Sequence, residues 1–226
     1  MLRAEGLVPL YHHRSRPQRP RPLTDQSEPK ATWRYAIVEL PTLAGPYHLV
    51  PMLDACSRKI TGRYSGPEQT SAVVQIAWDK ALAEKGLLAE DAPRLPMAAS
   101  DRGTQMTSKS TQQFFFDLGI VQSFRRARTP TDNAACEAWM ATIKCERLYD
   151  ADTADMTPEG VESMIDRFID FYNNERLHQA LDYVTPAEIH DGRHIAIIET
   201  RRRGMQEAKR RRRIEAYGGR SGEADG

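Results

Sequence analysis

Cysteine is scarce in this chain. Its three copies, Cys56, Cys136 and Cys145, form no Cys-x-x-Cys pair, so neither a zinc knuckle nor a disulfide framework is indicated. His12 and His13 stand without an accompanying cysteine pair, and no internal repeat is visible. Apolar runs are short: none reaches the roughly 18 residues of a membrane span, and no charged-then-apolar leader opens the chain. We therefore expect a soluble, cytoplasmic protein with no membrane partner. Neither sign of charge dominates, since 32 basic and 31 acidic side chains leave a formal net charge of +1. At 226 residues and 40% apolar content, the chain can bury one ordinary core and carry extensions besides.

The balanced total conceals an uneven distribution. Residues 1–32 mix Arg14, Arg16, Arg19, Arg21 and Lys30 with several prolines and read as an irregular basic linker. Residues 193–226 read as a basic tail, helical at first and then glycine-rich and disordered. It carries Arg201, Arg202, Arg203, Lys209, Arg210, Arg211, Arg212 and Arg213. Clustered cations of this kind suit DNA phosphates, a solvated tail being the plainer alternative.

Between these extensions, residues 33–192 alternate strand-like and helix-like periods, which is an α/β pattern. Strands are expected over 35–40, 47–53, 59–64, 96–100 and 120–124. Helices are expected over 68–85, 110–118 and 159–173. On the 68–85 helix, Ala72, Val73, Ile76, Ala77 and Leu82 form the apolar side.

Two local patterns carry chemistry. Asp101 ends a short apolar run and is followed by Arg102, Gly103 and Thr104, as a metal ligand at a strand end would be. A lone Asp-Arg-Gly is equally the mark of a solvated turn. Further on, Asp132 can cap a helix that carries Glu137 in its second turn. On that helix Glu137, Ala141 and Lys144 share one stripe, while Cys136, Trp139, Met140 and Ile143 form a neighbouring apolar stripe suited to core packing. Arg125, Arg126 and Arg128 precede the helix in a basic loop that could clasp DNA or simply be solvated.

These two segments, with 172–178 and 183–188, resemble the integrase catalytic core of bacterial insertion-sequence transposases, relatives of retroviral integrases. The resemblance runs from about Trp33 to Gly192. It implies a ribonuclease-H-like fold, a mixed five-stranded sheet flanked by helices. It also implies DNA strand cleavage and transfer dependent on Mg²⁺ or Mn²⁺, with Asp101 and Glu137 as catalytic and metal-binding acids. Lys144 resembles a contact to DNA. The opening residues 2–7 look like the end of the DNA-binding region that usually precedes such a core, which a separate helix-turn-helix chain would then supply.

One member of the family's acidic set is absent. The first acid normally follows a tryptophan by three positions; after Trp33 that position holds Ala36, and Val38 replaces the usual threonine. Glu39 is a poor substitute, because strand alternation turns it to the other face. If 41–46 close a hairpin, Asp54 falls opposite Trp33 and is better suited to bonding Ser57 or Arg58. Loss of a bridging ligand is expected to cost on the order of a thousandfold in rate.

The expected function is therefore a transposase core for DNA transposition or integration, inactive or weak as written. Its partners would be double-stranded DNA, at element ends and target, and further copies of itself, in the bacterial cytoplasm close to the nucleoid. The alternatives are a noncatalytic DNA-binding regulator, or dominant-negative inhibitor of an active transposase, and a hydrolytic nuclease of the same fold. Asn173, Arg176 and His178 are assigned a structural role at a helix end, with a DNA contact by Arg176 or His178 as the alternative.

Overall fold

The computed structural model describes residues 24–89, 91–92, 94–125, 134–143 and 153–218. Most of the basic linker expected at 1–32 lies outside these, as do 219–226. The strands are β1 (Thr32–Tyr35), β2 (Val38–Thr42), β3 (Gly45–Asp54), β4 (Ile60–Gly66), β5 (Met97–Ser100) and β6 (Gln122–Phe124). The helices are α1 (Ser71–Glu84), α2 (Thr104–Thr107), α3 (Lys109–Asp117), α4 (Ala134–Ile143), α5 (Pro158–Asn174), α6 (Pro186–His190) and α7 (His194–Gly218).

The long strand β3 organises the sheet. β4 pairs with it antiparallel from His48 to Leu53. β2 takes the Gly45–Leu49 stretch of β3 and β1 the Met52–Asp54 stretch, both antiparallel. Because β4 spans both stretches on one edge, β1 and β2 share the other. β1 then pairs parallel with β5, and β5 parallel with β6. The result is the five-position mixed sheet of a ribonuclease-H-like fold, with its first position split in two. The unbroken strand expected over 35–40 is corrected here: pairing lapses at Ala36 and Ile37.

The hairpin expected at 41–46 is present. Pro41 pairs with Pro46 and Thr42 with Gly45, and the Thr42 hydroxyl donates to the Gly45 carbonyl at 2.7 Å. Gly45 turns the chain at a φ of 104°, a conformation that side chains rarely adopt.

Strand alternation sorts side chains into two apolar layers. Trp33, Tyr35, Val50, Met52 and Ala98 face α1 and α3. Ala36, Val38, Leu40, Leu49 and Leu53 face α4 and α5, meeting Cys136, Trp139, Ile143, Val161, Ile165, Phe168 and Tyr172. Helices thus cover both faces, and the apolar stripe read on Cys136, Trp139 and Ile143 is core. In the first layer Trp78 meets Tyr35 and Phe115 edge-on, at centroid distances of 5.4 and 5.0 Å.

On α1 the buried face is Val73, Val74, Ala77, Trp78, Ala81 and Leu82. The sequence reading placed Ala72 and Ile76 on that side, yet both are exposed. Apolar residues surround most of this helix, and packing selects the stripe that holds the indole of Trp78. Close approach of α1 to the sheet depends on Gly62 of β4, where a Cβ would fall 2.6 Å from that of Ala81.

Thr157 caps α5 by accepting from Gly160 N–H at 3.2 Å, with Pro158 in the first turn. At its far end, buried Asn173 accepts from Ile60 N–H at 2.9 Å and donates to Ile60 C=O at 3.0 Å, pinning the helix to β4. Thr185 and Glu188 form a capping box on α6. α7 follows at His194, where the sequence reading placed a basic helix. Among the described residues, no helix is long and apolar enough to cross a membrane.

Candidate functional site

Asp101 follows the last residue of β5, and Ala36 follows the last residue of β1. These two strands lie side by side and parallel, with Arg34 level with Ala99; two residues further along each stand Ala36 and Asp101. The carboxylate of Asp101 is held by its own turn, Oδ1 accepting from Gly103 N–H at 2.9 Å. Ala36 is 7% exposed and its methyl belongs to the apolar layer that includes Cys136.

Glu137 is brought to the same place by α4. Ala134 is the first described residue of α4, and Asp132, the expected cap, lies outside the described residues. Its neighbour Cys136 is fully buried against the sheet, and Glu137 itself is exposed. The link to Asp101 runs through Arg125, at the end of β6. Arg125 N–H donates to Ser100 C=O at 2.9 Å, and Arg125 Nη1 donates to Glu137 Oε1 at 2.8 Å. Burial pushes the Cys136 thiol up to about 12; Arg34 opposes that shift, while Glu137 and Asp101 both add to it. Since Ser100 is level with Phe124, the Arg125 link ties Glu137 to the end of the sheet where Asp101 follows β5.

Two further cations belong here, and the sequence reading passed over both. Arg34 is 6% exposed and stands an even number of residues from Ala36, on the face that packs against α4. Its position two places before Ala36 was the available signal. Arg102, next to Asp101, lies with its guanidinium carbon 5.9 Å from the Phe124 ring centre and its Nε 3.5 Å from Arg125 C=O.

Glu39 and Asp54, the possible stand-ins for a carboxylate at position 36, are placed elsewhere. Glu39 faces solvent on β2, 3.6 Å from His48. Asp54 is level with Trp33 and fully buried; its oxygens accept from Lys30 N–H at 2.6 Å, from Ser57 N–H at 2.7 Å and from the Ser57 hydroxyl at 2.7 Å. Among the described residues, no three His, Cys, Asp or Glu side chains gather as a cation-binding set. Two carboxylates, one of them engaged by Arg125, and a methyl do not fit a two-cation centre.

Lys144, Arg126, Arg128 and Asp132 lie outside the described residues. Arg125, read from sequence as a basic loop residue, is drawn onto Glu137. Arg201, Arg202, Arg203, Lys209 and Arg210 to Arg213 are exposed on α7, away from both acids in the chain; Arg201 also donates to Tyr183 C=O. Asn173 and His178 are buried, His178 edge-on to Tyr172 at 4.7 Å, in keeping with structural roles.

Two family models, both described as integrase core domain, match this chain over residues 26–130 and 118–186. The transposase for insertion sequence element IS904 of Lactococcus lactis is 27% identical over 174 residues, 77% of this chain and 66% of that protein. The putative transposase InsK for IS150 of Escherichia coli K12 is 24% identical, over 72% of this chain and 55% of its own length. A putative transposase for IS986/IS6110 of Mycobacterium tuberculosis is 28% identical, over 71% and 58%. The chain thus spans less than two thirds of these relatives.

Among solved structures, the HTLV-2 integrase catalytic core domain in complex with magnesium superposes with a TM-score of 0.55 at 17% identity, over 74% of this chain and 99% of that one. A chain of the simian T-cell lymphotropic virus intasome, in complex with PP2A regulatory subunit B56 gamma, gives 0.60 at 17%, over 76% and 59%. These likenesses are of fold.

Proposed function

Since this chain belongs to the integrase-core family, we propose that it is the core of an insertion-sequence transposase that engages DNA but cleaves and joins strands weakly or not at all. The carrying observation is the buried methyl of Ala36 at the end of β1, beside the strand that delivers Asp101. Cleavage of a phosphodiester and joining of the freed 3′-hydroxyl are both in-line displacements at phosphorus. Two divalent cations a few ångströms apart serve the attacking and leaving oxygens in such reactions. Mg²⁺ or Mn²⁺ is the family's expectation, and the donor set among the described residues does not fit a pair of them.

In this reading residues 33–192 are the core, 1–32 a linker from an upstream DNA-binding region and 193–226 a tail that contacts DNA. Substrates are element ends and target DNA, in the bacterial cytoplasm or on the nucleoid. Assembly with further copies, or with a separate helix-turn-helix chain, would bring two ends together.

The test is cleavage of a labelled terminal-repeat duplex with Mn²⁺, native chain against Ala36→Asp. The aspartate form is expected to be faster by on the order of a thousandfold. Robust cleavage by the native chain sinks the proposal. Strand joining by Ala36→Asp, rather than cutting alone, separates a transposase core from a hydrolytic nuclease.

A second reading is favoured by the ion pair between Arg125 and Glu137, which engages one of the two remaining acids. In it the chain is a noncatalytic DNA-binding regulator that inhibits an active transposase by mixed assembly. Titrating the native chain into the Ala36→Asp form should then depress activity more steeply than simple dilution.

A further inference from the structure

The charges gathered at Asp101 and Glu137 are the wrong set for recruiting a divalent cation. Among the described residues, two guanidinium groups stand with the two carboxylates: Arg102 beside Asp101, and Arg125 bridging Ser100 to Glu137. Their formal charges cancel, where a cation site requires several negative ones. A guanidinium also carries five N–H donors in a planar fork, and that geometry matches the oxygens of a phosphate. Arg125 directs one nitrogen to Glu137, and its side chain remains 37% exposed. Arg102 is exposed next to it.

From this arrangement we infer that the cluster formed by Arg125, Arg102, Asp101 and Glu137 binds a backbone phosphate of DNA directly, without a bridging metal ion. The inference rests on the reading above that the chain engages DNA. In a metal-bridged site a carboxylate helps binding, because it holds the ion that holds the phosphate. Here Glu137 competes with the phosphate for Arg125. The two arrangements therefore predict opposite effects for loss of the Glu137 charge.

The experiment is fluorescence anisotropy with a labelled duplex, in EDTA and in Mn²⁺, on the full chain. Native affinity is expected to be the same in both. Glu137→Gln should tighten binding in EDTA by up to about fivefold. Arg125→Gln should weaken it by about tenfold and reduce the slope of log affinity against log salt by about 1. Ala36→Asp should weaken binding in EDTA and regain it in Mn²⁺. Circular dichroism melts on each variant establish that it is folded, and a double Arg125→Gln, Glu137→Gln variant checks that the two effects share one pair. Binding that requires Mn²⁺, weakening by Glu137→Gln, or an Arg125→Gln chain with native affinity and slope each overturns the inference and leaves the family reading intact. No duplex binding in either condition overturns the DNA-engaging reading itself.

Discussion

Asp54 stands directly across from Trp33 in the antiparallel pair of β3 and β1, and its buried carboxylate gathers Lys30 N–H, Ser57 N–H and the Ser57 hydroxyl within 2.7 Å. This carboxylate ties the turn after β3 to the chain entering β1. It is committed to the frame of the site, and Asp54→Ala should destabilise the fold by about 3 kcal/mol, because buried donors are left without an acceptor. Urea denaturation measures this; native stability in the variant would show that the bonds are replaced by water.

Gly62 permits the close approach of β4 and α1. Gly62→Ala places a methyl 2.6 Å from the Cβ of Ala81, so strand and helix must separate. We expect destabilisation by about 1–3 kcal/mol from overpacking, and a second change, Ala81→Gly, should recover part of it. Thermal unfolding of the single and double variants checks both.

Tyr47 and Glu162 couple β3 to α5 through a 2.7 Å hydrogen bond from the phenol to the carboxylate. That hydroxyl is the largest influence holding Glu162 below its ordinary value of 4.5, with Ser65 and Arg63 assisting and partial burial opposing. A depressed folded-state value means that the contribution is complete above pH 4.5 and lost as pH falls through the lower value. Burial first, and Glu162 second, push Tyr47 up to about 12 from 10, so its contribution is complete below pH 10 and lost toward pH 12. Tyr47→Phe should therefore differ most from the native chain at neutral pH, and the difference should shrink at both extremes. A pH-independent gap would refute the coupling.

The cations of α7 are consecutive over Arg210 to Arg213, which spreads them around a full turn rather than along one stripe. Removing residues 201–226 should lower the salt slope of duplex binding by about 0.9 for each phosphate that these side chains neutralise. Filter binding at several salt concentrations reads this directly, and an unchanged slope would exclude the helix from the DNA interface.

Much of the fold was legible in the residues. The hairpin at Pro41 to Pro46, the pairing of Asp54 with Trp33, the apolar stripe of α5 and the strand that ends at Asp101 all follow from period, turn chemistry and alternation. The buried stripe of α1 was misjudged at Ala72 and Ile76, since several of its faces are apolar and only the partner surface chooses between them. The interruption at Ala36 and Ile37 was not legible either, because an unbroken apolar run from Tyr35 to Val38 passes straight through it.

The sequence by itself determined that Ala36 stands three places after Trp33, that Asp101 ends a strand and that Glu137 rides a helix, for these are properties of neighbouring residues. Only the tertiary structure decided which charges meet. Ser100, Arg125 and Glu137 come from three separate elements, and a guanidinium selects its carboxylate by distances of a few ångströms that no spacing along the chain encodes.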